Sequence, residues 1–209
     1  MTATSASQAA SGIDRPTAEL LQRFAHLPTA NVADAMDRLG VLDARIKPVW
    51  AGATVVGPAY TVWTRAGDNK FLHEALRLAQ PGDVIVVNGQ GDESRALIGE
   101  LMAEKAKATG LAGFVIDGAV RDAQDLGEIE FPVFARAVTP AGPYKHGPGH
   151  LGRTVAVGGV AVAPGDIVLG DADGVVIVPL GEAEQVLQAA EAKHADETAR
   201  REAIKAGRT

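Results

Sequence analysis

Two short apolar runs constrain this chain most: Asp83-Val84-Ile85-Val86-Val87-Asn88 and Gly113-Phe114-Val115-Ile116. Neither alternates polar with apolar residues, so each reads as a strand buried on both faces, the mark of a parallel sheet covered by helices. Helical spacing surrounds them. Lys70 to Ala79 precedes the first run, and a helix ending near Thr109, where Gly110 is placed to stop it, lies between the two. Periodicity alone extends that second helix back to Glu93. The centre of the chain is therefore a βαβ body.

The second run leads directly into Asp117-Gly118-Ala119-Val120-Arg121-Asp122. In open α/β proteins, sites form where strands of this kind end at their carboxyl side. Arg121 offers a planar fork of donors suited to a carboxylate or an enolate. Asp122 offers hard oxygen, the ligand type that Mg²⁺ prefers. Chemistry on a small anionic keto acid needs both groups. The plain alternative is a surface ion pair that happens to follow a strand.

Before the body, Pro16 to Phe24 has helical spacing, and Thr29 is placed to cap a helix from Ala30 to Leu39. Ala51 to Trp63 is β-rich, and Gly57-Pro58 suggests two strands around a turn or bulge. After the body, Pro132 to Arg136 resembles a strand, and Thr139 to Gly152 reads as a long Gly/Pro-rich loop holding His146 and His150. Short strands follow from Thr154, and a helix from about Glu182 to Ala206 closes the chain. No linker separates the sections, so residues 16–209 form one domain behind a disordered tail at 1–15.

The 209 residues suffice for a proper core, and a net charge of -6 with no basic stripe argues against a nucleic-acid partner. The absence of Cys excludes disulfides, thiolate nucleophiles and zinc–thiolate sites. No apolar run approaches the roughly 20 residues that a bilayer requires. Met1 to Ile13 lacks a basic leader and an apolar core, so it does not read as a secretory signal. The expectation is a cytoplasmic protein with no membrane partner.

Several strings in order resemble the RraA-like family, whose members include the metal-dependent 4-hydroxy-4-methyl-2-oxoglutarate (HMG) aldolases. They are Thr29-Ala30-Asn31-Val32-Ala33-Asp34-Ala35, Pro81-Gly82-Asp83-Val84-Ile85-Val86-Val87, Gly99-Glu100-Leu101-Met102 and Asp117-Gly118-Ala119-Val120-Arg121-Asp122. Pro132-Val133-Phe134-Ala135-Arg136, Pro164-Gly165-Asp166-Ile167-Val168 and Gly170-Asp171-Ala172-Asp173-Gly174-Val175-Val176 continue the pattern. The resemblance spans roughly residues 16 to 200.

That resemblance implies an α/β chain with the swivelling β/β/α fold of phosphohistidine-like domains. It implies trimers or hexamers whose active site lies between neighbouring subunits. Carried over by residue, it assigns Gly99, Glu100, Leu101 and Met102 to binding a substrate carboxylate, Arg121 to substrate, and Asp122 to a divalent metal, Mg²⁺ or Mn²⁺. The activity implied is cleavage of HMG or related 4-hydroxy-2-keto acids to pyruvate, with oxaloacetate decarboxylation through the same enolate. Carboxylate capture by amides requires a helix that starts near Gly99, and glycine makes that break acceptable. The rival reading is a regulator of the RraA type, which binds an RNA-degrading endonuclease without catalysis.

Other candidates are weaker. Asp171 and Asp173 resemble calcium-loop spacing, but the other ligands are missing, and Asp173-Gly174 makes a good turn. Asp34 and Asp37 suit an exposed helix face or a neighbour's site. His73 reads as a structural or rim residue, and His194 as solvated. Asn88-Gly89-Gln90-Gly91 is only a partial glycine match to a dinucleotide fingerprint, so NAD is discarded.

Overall fold

The computed structural model describes residues 12–207. The tail expected over 1–15 lies outside the described residues as far as position 11. At its end Arg15 is fixed to the body, its guanidinium reaching both carboxylate oxygens of Asp83 at 2.8 and 2.9 Å.

A mixed sheet of eight strands forms the centre. Its parallel part comprises β2 (Val55–Thr64), β3 (Val84–Ala96), β4 (Gly113–Val120) and β5 (Val133–Val138). The short β1 (Lys47–Pro48) pairs antiparallel with β5, and β6 (Gly149–Leu151) pairs with the end of β2. A hairpin of β7 (Val155–Val157) and β8 (Val160–Val162) precedes β9 (Ile167–Asp171) and β10 (Gly174–Val178), which extend the sheet beyond β2. The two strands expected around Gly57-Pro58 are one. Val55–Pro58 pairs with β9 and Ala59–Trp63 with β3, so β2 changes partner at that dipeptide.

Helices α1 (Ala18–Phe24) and α2 (Thr29–Ala35) precede the sheet; α3 (Lys70–Leu78), α4 (Glu100–Ala108) and α5 (Ala123–Glu128) join its parallel strands; α6 (Ala183–Lys205) closes the chain. Successive residues of a strand point to opposite faces, and the core divides accordingly. Ile85, Val87, Phe114 and Ile116 pack with Leu72, Leu76, Ala103 and Leu126 of the joining helices. Val84, Val86, Val115 and Phe134 pack with Val168, Val175 and Ile177 and with the hairpin. A third cluster holds α1, α2 and α6 against β9 and β10 through Phe24, Val32, Leu169, Val176 and Leu187. This is a mixed α/β domain with a central sheet and a C-terminal helix.

Two expected helices are shorter than their periodicity suggests. The one capped by Thr29 ends at Ala35, because Asp37 and Arg38 take left-handed backbone angles. Thr29 itself does not cap; its N–H and hydroxyl both donate to Asp171, at 2.9 and 2.7 Å. The stretch from Glu93 to Ala96 is extended, as the irregular end of β3, whose register against β4 shifts at Asp92 and again at Ala96. Pairing with β4 overrides a helical periodicity there.

Candidate functional site

The end of β3 and the end of β4 build the site together. After Ala96 the chain turns through Leu97, Ile98 and Gly99 into α4, and the turn is bonded to β4 on both sides. Leu97 N–H donates to Ala119 O at 2.9 Å, and Arg121 N–H donates to Ile98 O at 3.0 Å. The helix therefore begins at Glu100, with Gly99 as its N-cap, at the carboxyl end of the parallel sheet.

Gly99 has an extended backbone, which any residue adopts; what it lacks is room. A Cβ there would lie 2.1 Å from Asp122 Oδ2, 3.0 Å from Arg121 Cγ and 3.1 Å from Arg121 Nε. The missing side chain lets Asp122 reach the start of α4, where its Oδ2 accepts the Glu100 N–H at 3.1 Å. Asp122 holds left-handed backbone angles (φ 58°, ψ 41°) as the residue before α5. An Asp tolerates that region better than most residues. Arg121 Nε stands 3.5 Å from Asp122 Oδ2, with both side chains partly exposed. Among the described residues, the Leu101 N–H at the second position of α4 and Asp122 Oδ1 have no hydrogen-bond partner.

Gly99, Glu100, Leu101, Met102, Arg121 and Asp122 all line one cleft of about 380 Å³. The structure thus brings the six residues singled out from the sequence to one place. It adds four groups to which sequence reasoning gave no role in the site: Asn69, Asp125 and Lys145, and His73, read there as structural or rim. Asn69 and His73 come from the start of α3, Asp125 from the first turn of α5, and Lys145 from the Gly/Pro-rich loop. Periodicity could not place Lys145, because the loop's path is set by tertiary contacts, and it does not say that the starts of α3 and α5 face the same cleft. Asp68, fully buried, accepts from the amides of Lys70, His146 and Gly147 and so pulls that loop onto the start of α3.

The cleft has a charge gradient. Glu100, Asp122 and Asp125 share one end, and the Glu100 carboxyl is pushed above its ordinary value by partial burial and then by Asp125, Glu104, Asp122 and Glu128. At the other wall His73 is held below the ordinary histidine value by burial, then by the cations of Lys145 and Lys105. No group of three or more His, Cys, Asp or Glu side chains close enough to hold a metal occurs among the described residues. A cation here would rest on Asp122 alone within one chain. The donor set fits Mg²⁺ or Mn²⁺, which keep several waters and need one or two carboxylates. Oδ1 of Asp122 accepts no hydrogen bond among the described residues, and Glu100 and Asp125 add negative charge that Arg121, 3.5 Å from Asp122 Oδ2, offsets only in part.

The remaining candidates fall outside the cleft. Asp171 accepts from Asp173 N–H at 2.9 Å, which makes that segment a turn. Asp34 pairs with Arg38 and Lys193, at 3.7 and 3.4 Å. His150 stacks on Trp63 with ring centroids 5.5 Å apart. His194 is not simply solvated: its Nδ1 lies 3.3 Å from Asn31 Oδ1, half-buried against α2.

A doubly covered parallel sheet whose carboxyl edge presents an open helix N-terminus, an arginine and an acidic end defines an α/β protein with a polar cleft at that edge. Comparison with known proteins narrows this. The profile of the RraA-like family, described as Aldolase/RraA, matches residues 29–177, and the chain belongs to that family. It is 44% identical over 186 residues, 89% of each chain, to a Halalkalibacterium halodurans protein provisionally named 4-hydroxy-4-methyl-2-oxoglutarate aldolase. Among solved structures, an uncharacterised Pseudomonas syringae protein is 28% identical with a TM-score of 0.86, covering 94% of this chain and 93% of that one. RraAS2 of Streptomyces coelicolor, described as an unusual member of the RNase ES inhibitor RraA family, is 30% identical with a TM-score of 0.80, covering 90% and 98%.

Proposed function

We propose that this protein is a divalent-metal-dependent carbon–carbon lyase. It cleaves 4-hydroxy-4-methyl-2-oxoglutarate or related 4-hydroxy-2-keto acids to pyruvate and decarboxylates oxaloacetate through the same pyruvate enolate. The carrying observation is the meeting of Arg121 and Asp122 with the unpaired Leu101 N–H at the start of α4, in one cleft.

The chemistry follows from what each group offers. The Leu101 amide and the positive end of the α4 dipole suit the substrate's carboxylate. Arg121 donates to the keto oxygen, on which charge grows as the bond to C3 breaks; a preorganised donor of this type contributes about 3–4 kcal/mol to lowering the barrier. Asp122 is the residue that holds the cation, and Glu100 and Asp125 add negative charge beside it. A divalent cation bound there acts as a Lewis acid on the 2-keto group. Neither a Schiff-base lysine nor a thiol is required, and the chain contains no Cys.

An assembly of three or six subunits belongs to this reading, because one chain supplies a single metal carboxylate and leaves the cleft open. No described helix is long and apolar enough to cross a membrane. A cytoplasmic site of action is part of the same proposal. Release of pyruvate from HMG and oxaloacetate, followed with Mg²⁺ and with a chelator, tests it. The similarity to RraAS2 favours a second reading, a non-catalytic regulator of an RNA-degrading endonuclease. Slowed RNA cleavage by such a nuclease in the presence of this protein, without any pyruvate release, would establish that reading instead.

A further inference from the structure

Asn69 has a polar atom with nothing to bond. The residue is 4% exposed and lies in the cleft wall with Ile98, Gly99, Met102 and Arg121. Its Nδ2 donates to Leu97 O at 3.0 Å and meets Met102 Sδ at 3.5 Å. Both contacts call for the nitrogen, which fixes the orientation of the amide. Oδ1 is then left buried without a partner. Folded proteins rarely keep a buried acceptor unpaired, and such an atom asks for an explanation.

The backbone does not let Asn69 drift to find one. Its N–H donates to Tyr144 O at 3.0 Å, and its carbonyl accepts from Leu72 and His73 at 3.1 and 3.2 Å. Asn69 and Met102 both line the cleft, and the flexible thioether of Met102 lies against the amide nitrogen.

The chemistry of the atom selects its ligand. An amide oxygen repels a carboxylate and pairs with O–H. The carboxylate ends of a keto acid are matched elsewhere, by Lys145 and by the start of α4, and its keto oxygen by Arg121, all of them donors. A hydroxyl is the remaining polar group for which Oδ1 is the complement. We infer that Asn69 Oδ1 accepts a hydrogen bond from the substrate's C4 hydroxyl and thereby favours 4-hydroxy-2-keto acids over keto diacids that lack one. The inference rests on reading the cleft as a keto-acid lyase site.

The two reactions differ at that group. In cleavage the C3–C4 bond breaks, its electron pair stays on C3, and C4 becomes a carbonyl as its hydroxyl proton passes to solvent. C3 then takes a proton from solvent to give pyruvate. In decarboxylation the same bond breaks and the same pair stays on C3, but CO₂ leaves and no hydroxyl proton is involved. Asn69 is too weak a base to remove the proton; it orients the hydroxyl and determines specificity.

The test compares kcat/KM for HMG and for oxaloacetate in the full-length, Mg²⁺-loaded protein and in Asn69→Ala and Asn69→Ser. Asn69→Ala is expected to lower HMG cleavage about threefold to tenfold more than oxaloacetate decarboxylation, the size of one lost neutral hydrogen bond. Asn69→Ser, whose neutral hydroxyl can donate and accept, is expected to recover part of that ratio. Equal losses in both reactions, or no change in the ratio, overturn the inference while leaving the lyase reading intact. A wild-type protein inactive on both substrates defeats the lyase reading itself, and a wild type that only decarboxylates defeats the role of Asn69.

Discussion

The Glu100 N–H donates to Asp122 Oδ2 at 3.1 Å, tying the first residue of α4 to the residue that follows β4. Two crossovers of the sheet thus converge on one carboxylate. Gly99 permits the contact by having no side chain.

Gly99→Ala therefore separates folding from activity. The added methyl meets the end of the Asp122 side chain and not backbone, at an extended φ, so the fold accommodates it by moving Asp122. Pyruvate release should fall at least about tenfold, as expected when a catalytic group is displaced by an ångström. The Tm should change by only a few degrees, roughly the effect of ~1 kcal/mol. Unfolding calorimetry alongside the coupled pyruvate assay checks both.

Arg121→Ala should lower kcat by about 10²–10³-fold with little effect on Tm, because the side chain is nearly half exposed and its partner only 3.5 Å distant. Arg121→Lys should recover little, since a point charge does not reproduce the planar fork. Steady-state kinetics on oxaloacetate measures the difference.

Much of this site was legible in the chain because its parts are local. Arg121 and Asp122 follow a strand that its unbroken apolar run identifies, and Gly99 marks the helix start. Lys145 was not legible, because Asp68 decides where the loop at 139–148 lies, through amides more than 75 residues away. Asn69 and Asp125 sit at helix starts, where local spacing does not say which side chains face the cleft. Spacing alone permits a helix back to Glu93, and the start near Gly99 comes from the resemblance. The structure has that start, because Ala96 pairs with Ala119 across the sheet, a contact that local spacing does not encode. Asp37 and Arg38 likewise end α2 with backbone angles that no helical periodicity announces.

Asp68→Asn should destabilise the protein by about 2–4 kcal/mol, because the Lys70, His146 and Gly147 amides lose a charged acceptor in a buried position. Burial pushes the Asp68 carboxyl up, but those three amides and Arg65 together outweigh it and hold the pKa below its ordinary value. A depressed carboxyl stabilises the fold above its unfolded pKa, about 4, and that contribution fades as pH falls through the folded value. Urea unfolding at a series of pH values should show the gap between wild type and Asp68→Asn shrinking only in acid.

His73 should titrate below the ordinary histidine range, because burial and the cations of Lys145 and Lys105 disfavour its charged form. The imidazole is then neutral at pH 7. Lys145→Ala removes one of those cations and should move the His73 titration upward. NMR titration of the ring protons follows the change directly.

The central claim is that Asp122 holds a divalent cation that the keto-acid chemistry requires. Its most direct test is pyruvate release from oxaloacetate by wild type and Asp122→Ala, in EDTA and after addition of Mg²⁺ or Mn²⁺. Wild type should fall silent in EDTA and recover with either metal, while Asp122→Ala stays inactive in both. Undiminished release by wild type in EDTA, or by Asp122→Ala with metal, would contradict the account.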